Sequence, residues 1–204
     1  ECLHGPLLFS LGVTLARVAA AFVIAMVIGT AIGIVMGRSR TIDALFDSWL
    51  VLLLNLPALV IIVLAYVWFG LTEAAAIGAV AVNKIPNTAV TLREGARALD
   101  RSYADMAASF RVGRWRTLRH VIMPQLYPYI CAAARSGLAL VWKIVLIVEL
   151  LGMSNGIGFQ IQIYFQQFDV ARILAYSIAF MVVIQLIEWG VLQPLERRAS
   201  AWRQ

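Results

Sequence analysis

Asn83, Lys84 and Asn87 interrupt an apolar run, and Arg135 and Lys143 stand eight residues apart in another. Amides and cations in apolar surroundings suit the attraction and passage of a solute, an anion above all. They do not suit bond-making chemistry. Catalysis or metal binding would call for clustered His, Cys or paired acids at one depth. Here His4 and His120 fall outside the apolar runs, and Cys2 and Cys131 have no metal-ligand spacing. The chain also lacks a Gly-rich Lys-Ser/Thr phosphate loop, so it cannot hydrolyse nucleotide by that route. The expectation is a chain that is not an enzyme, with no catalytic residue, metal or cofactor of its own.

The elements that must hold these polar groups are helices in a membrane. The sequence is 62% hydrophobic and 14% charged, with a mean hydropathy of +0.84, whereas about a quarter of a soluble domain is charged. Residues 18–37 and 48–72 carry no charge, and each run is long enough to cross a hydrocarbon core about 30 Å thick. The alternating ten-residue pattern of a β-barrel is missing. The reading is an all-α polytopic helical bundle, a single domain over residues 1–204, with five spans at about 13–37, 46–70, 74–92, 125–149 and 171–192.

The arginines orient it. Placing Arg38 and Arg40 in the cytoplasm puts the seven arginines of residues 93–124 there too, with Arg197, Arg198 and Arg203. Twelve of the seventeen bases then lie inside, as the positive-inside rule requires. This orientation places residue 1 outside and the C-terminus in the cytoplasm. An odd number of spans with an outside start predicts a further N-terminal helix that this chain lacks.

Several residues admit two readings. Pro86 is expected to break the third span, leaving Asn83, Lys84 and Asn87 either on a wet passage or at a packing kink with Lys84 paired to an acid. Arg135 and Lys143 lie near one helix face. They either attract an anion or serve structure, Lys143 by snorkelling or by pairing with Glu149. Asn55 before Leu56-Pro57 reads as a helix kink. Gly29, Gly33 and Gly37 form a small-residue stripe suited to close helix contact. Residues 152–158 read as a flexible external loop, either meeting a solute-binding protein or simply turning.

Within the basic segment, Tyr103, Met106, Ala107 and Phe110 recur at the spacing of one apolar helix face. Ser102 and Asp105 resemble a capping box, and Gly113 suits a helix stop. A second stripe, Trp115, Leu118 and Ile122, runs up to Pro124. Two short helices along the membrane surface are expected. On pattern alone they serve either to bind anionic lipid or to dock a partner.

The stretch from Tyr103 to Pro124 resembles the cytoplasmic loop of bacterial ABC importer permeases. Asp105-Met106-Ala107 takes the place of the family's Glu-Ala-Ala, and Val121, Met123 and Pro124 its Ile, Leu and Pro. Arg111 occupies the family's glycine position, with Gly113 two residues later. Trp68-Phe69-Gly70, Glu149-Leu150-Leu151-Gly152, Gly156-Ile157-Gly158 and Leu195-Glu196-Arg197-Arg198 are similar to the nitrate, sulfonate, taurine and bicarbonate subgroup. The resemblance implies the type I importer permease fold and a subunit in the bacterial inner membrane. It also implies import of a small solute, an anion such as a sulfonate, taurine or nitrate, by alternating access. Partners implied are cytoplasmic P-loop ATPases carrying ATP and Mg, a second permease copy, a solute-binding protein and membrane lipid. Tyr103, Asp105, Met106, Ala107, Phe110 and Gly113 would dock the ATPase; Asn83, Lys84, Asn87, Arg135 and Lys143 would line the passage. The competing classes are a non-ABC channel or lipid-binding scaffold and a membrane-embedded enzyme.

Overall fold

An apolar segment in lipid must satisfy its own amides, and this chain does so with helices. The computed structural model describes residues 6–100, 102–103, 106 and 109–194, and no strand occurs among them. Helix α1 spans Pro6–Arg38. Ser39 is extended and its Oγ accepts from the Ile42 amide, which starts α2, Arg40–Asn55.

The span expected at 46–70 is not continuous. Helix α2 stops at Asn55 and α3, Ala58–Phe69, leaves it at 95°. The cause is Pro57, which lacks an amide hydrogen and disfavours helical backbone at Leu56. Leu56 is accordingly extended, with ψ 126. The Asn55 side-chain amide donates back to the Val51 carbonyl at 2.7 Å, closing the last turn of α2.

Gly70, at φ +72, ends α3, and the Thr72 hydroxyl accepts from the Ala75 amide at 3.2 Å to cap α4, Glu73–Arg97. Pro86 does not break α4, contrary to expectation. It removes one hydrogen bond, to the Val82 carbonyl, while α1 and the later helix Met123–Gly152 pack against α4. Helix α4 is the enclosed element: twelve of its 25 residues are buried. After residues 98–113 come a helical turn at Arg114–Thr117, a π-helical turn at Leu118–Ile122, and α5, Met123–Gly152. Helices α6, Ile157–Gln166, and α7, Val170–Ile187, follow, the latter running into a second π-helical turn at Glu188–Leu192.

Among the described residues three helices are long and apolar enough to cross a membrane: Leu7–Arg38, Trp115–Gly152 and Val170–Gly190. Taken together as one broken span, the bent pair α2–α3 makes a fourth. Helix α4 occupies the place of the third expected span, but its polar middle makes it less apolar than these. It is shielded by protein instead. Gly29, Gly33 and Gly37 of α1 permit that shielding. A Cβ at Gly33 would meet the Ala89 carbonyl at 2.5 Å and the Arg93 amide at 3.0 Å, so the two backbones nearly touch. The expected small-residue stripe is therefore a contact within the chain.

Candidate functional site

At the end of the molecule that carries the basic segment, α4 runs further than the charge pattern implied. Arg93 and Arg97 lie in its last turns rather than in a loop. Arg93 Nη1 contacts Asp47 Oδ1 at 2.5 Å and Asp43 Oδ1 at 3.3 Å, and Arg97 pairs with Asp43 and Glu94. These pairs tie α4 to the start of α2, just before the segment of residues 98–113.

In that segment Ser102, Tyr103, Met106 and Ser109 are helical, and the Phe110 amide closes a turn on the Met106 carbonyl at 3.0 Å. Asp105 and Ala107 lie outside the described residues. At the start Asp100 Oδ1 accepts from the Ser102 amide at 2.9 Å, while the Ser102–Asp105 box falls on Asp105, outside the described residues. That amide holds the Asp100 carboxyl below its ordinary range. The cap thus persists at neutral pH and is lost only as pH falls through this depressed value. Tyr103, Met106 and Phe110 are 52%, 51% and 76% exposed, an apolar face left open among the described residues.

Gly113 is not the stop. Arg111 takes the left-handed backbone, φ +51, directly after the helix, while Gly113 has no positive φ. The bend therefore sits at the family's glycine position, occupied here by an arginine. An L-residue in that conformation costs about 1–2 kcal/mol. Arg111→Gly is expected to raise stability by about 1 kcal/mol, read as a higher melting temperature of the purified protein. An unchanged or lower value would count against this strain.

Among the passage candidates, Asn83 and Asn87 are half-buried on α4, and Lys84 is 1% exposed. Its stem lies against Gly137 of α5, where an added Cβ would clash with it, and its Nζ has no hydrogen-bond partner. The expected acid is not there. Arg135 and Lys143 lie two residues before and six residues after Gly137, which turns them to the opposite side of α5. Arg135 Nε lies 3.4 Å from Glu188 Oε1, and Lys143 is exposed. The five candidates therefore do not form one cluster: Asn83, Lys84 and Asn87 share a level of α4, and the other two cations face away.

Positional reasoning missed a second network at the opposite end. Arg17, 3% exposed, donates to Glu149 Oε1 at 2.8 Å, Glu73 Oε2 at 2.7 Å and the Asn155 carbonyl at 2.9 Å. The fully buried Glu149 carboxylate also accepts from the Thr14 hydroxyl and the Gly158 amide, each at 2.9 Å. Gly156, at φ +107, lies against that carboxylate, leaving no room for a Cβ. Glu149 pairs with Arg17 rather than Lys143. Residues 152–158, expected to be flexible, are clamped, with Met153, Gly156, Ile157 and Gly158 buried. The available signal was Arg17 itself, a cation eleven residues into an apolar helix.

Comparison with known proteins follows the same lines. The family model described as binding-protein-dependent transport system inner membrane component matches residues 25–192. The taurine transport system permease protein TauC of Escherichia coli (strain K12) is 28% identical over 192 residues, 94% of this chain and 70% of that one. The bicarbonate transport system permease protein CmpB of Synechococcus elongatus is 30% identical over 193 residues, 94% of this chain and 66% of that one. Among solved structures, an amino acid ABC transporter crystallised with histidines is similar with a TM-score of 0.71 at 25% identity, covering 94% of this chain and 93% of that one. The inward-facing MetNI methionine ABC transporter matches in fold, with a TM-score of 0.76 at 18% identity over 95% of this chain and 96% of that one.

Proposed function

The chain belongs to the family of binding-protein-dependent transport system inner membrane components, and we propose that it moves a small anion by alternating access. As an ABC importer permease it is a membrane subunit without catalytic chemistry, and a separate ATPase hydrolyses ATP. The substrate class rests on its relatives, among them permeases named for taurine, aliphatic sulfonates and bicarbonate.

The observation that carries the reading is the exposed face of Tyr103, Met106 and Phe110 on the arginine-rich side. Three large apolar side chains on one short helix suit a groove on the ATPase, which excludes water from them. Asp105 and Ala107 join the docking role from their sequence spacing, and the Arg111 turn sets the angle of the chain beyond it. The passage runs beside α4, where Asn83 and Asn87 present amides to a wet path and Lys84 stands ready behind them. A second copy of the chain completes that path, and the C-terminus lies in the cytoplasm with the other basic segments.

Phe110→Ala is expected to weaken association with the P-loop ATPase about tenfold and to lower uptake, with helix content unchanged. Co-purification from membranes measures the first and solute uptake the second. Retention of both at the wild-type level sinks the docking assignment.

A further inference from the structure

Between the α1–α2 corner, the end of α4 and the start of α5 lies a cavity of about 640 Å³. Arg38, Arg40, Arg97, Asp43, Asp100 and Gln125 supply its polar wall; Met36 and Ile122 are among its apolar residues. The two acids are already engaged. Asp43 holds Arg93 and Arg97, and Asp100 caps the Ser102 amide. The Arg38 and Arg40 side chains make no ion pair or hydrogen bond among the described residues. Two exposed guanidiniums therefore line this space unpaired, against Asp100 as the one lining acid that no arginine holds among the described residues. A guanidinium fork is matched by the paired oxygens of a phosphate.

The surroundings narrow the ligand. Helix α2, which starts at Arg40, exposes Leu45, Phe46 and Trp49, and α1 exposes Ile32 and Val35 just before Arg38. Apolar surface on both sides of an arginine pair suits a molecule with acyl chains as well as an anionic head. We propose that this cavity binds the headgroup of an anionic phospholipid from the cytoplasmic leaflet. The leaflet rests on the orientation argued above; the binding itself does not.

The site touches both roots of the docking segment. Leu99 and Asp100 precede that segment, and Val121, Ile122 and Gln125 follow it; all five line the cavity. The Asp100 amide donates to Gln125 Oε1 at 3.1 Å, joining the two roots across one wall. A headgroup held there braces the segment from behind and so tunes its coupling to the ATPase.

The test uses the permease–ATPase complex in nanodiscs of phosphatidylcholine with or without phosphatidylglycerol, with retained lipid counted by native mass spectrometry and ATPase rate measured alongside. Wild type is expected to retain phosphatidylglycerol and to hydrolyse ATP faster with it present. Arg38→Gln/Arg40→Gln should bind it about 30-fold more weakly and lose the stimulation. Arg38→Lys/Arg40→Lys keeps the charge and should retain most of the binding, which separates a headgroup site from a folding defect. Equal retention of phosphatidylglycerol by wild type and the Gln pair overturns the site. Displacement of the lipid by millimolar inorganic phosphate overturns the lipid assignment in favour of a soluble phosphate. ATPase co-purification is scored in every sample, so a failed complex is distinguished from a failed lipid site.

Discussion

Arg17→Met is expected to destabilise the protein by about 3–5 kcal/mol, because it strands a carboxylate that has no access to water. Glu149 is fully buried, and Arg17 supplies the only cation paired with it among the described residues. The Thr14 hydroxyl and Gly158 amide remain after the substitution, but two neutral donors do not replace a charge. The damage should spread, since Arg17 joins α1 to Glu73 at the start of α4, to Glu149 near the end of α5 and to Asn155 before α6. Thermal unfolding of the purified protein measures the loss. Arg17→Met/Glu149→Gln removes both charges and should recover part of it, since no unpaired ion is then buried. A single mutant within about 1 kcal/mol of wild type is an ordinary surface result and would show that the network is dispensable.

Lys84→Met should have the opposite effect on stability and a large effect on transport. The ammonium is buried without a partner, and methionine fills a similar volume without charge. Replacing buried charge with apolar volume is often neutral or stabilising by about 1–4 kcal/mol. A group that costs stability in the packed state needs a use elsewhere, and the use proposed is a counter-charge to the solute when α4 and α5 part. The variant is therefore expected to melt higher, to keep its ATPase, and to lose at least about tenfold in uptake, roughly one good charge-assisted contact. A more stable variant with unchanged uptake would make Lys84 a packing residue only.

The helical architecture was legible from apolar run lengths and the missing barrel alternation, since helices and closed barrels are the arrangements that satisfy themselves in lipid. The exposed apolar face was legible from the spacing of Tyr103, Met106 and Phe110. Three features were not, each because a local rule met a neighbour. Pro57 and Pro86 carry the same chemistry, yet one turns the chain through 95° and the other sits inside a continuous helix. The difference lies in how closely α1 and α5 hold α4, which no local window reveals. Glycine marks a helix stop in general, but Gly113 gave the wrong residue because Arg111 bears the left-handed turn itself. The Arg17–Glu149 pair spans 132 positions, beyond the reach of any helical spacing rule.

The corner at Leu56-Pro57 bears on the bilayer. Helix α3 has twelve residues, about 18 Å at the helical rise, against a hydrocarbon thickness of about 30 Å. Asn55 and Pro57 stand exposed in the single chain, and bare backbone groups at a corner are too costly to leave in acyl chains. Either the bilayer thins beside α3 until headgroups and water reach the corner, or another protein surface covers it. In the first case the importer carries a dimple of thinned membrane with it. Such mismatch costs fractions of a kcal/mol per Å, so lipid chain length becomes a setting on where in a membrane this protein comes to rest.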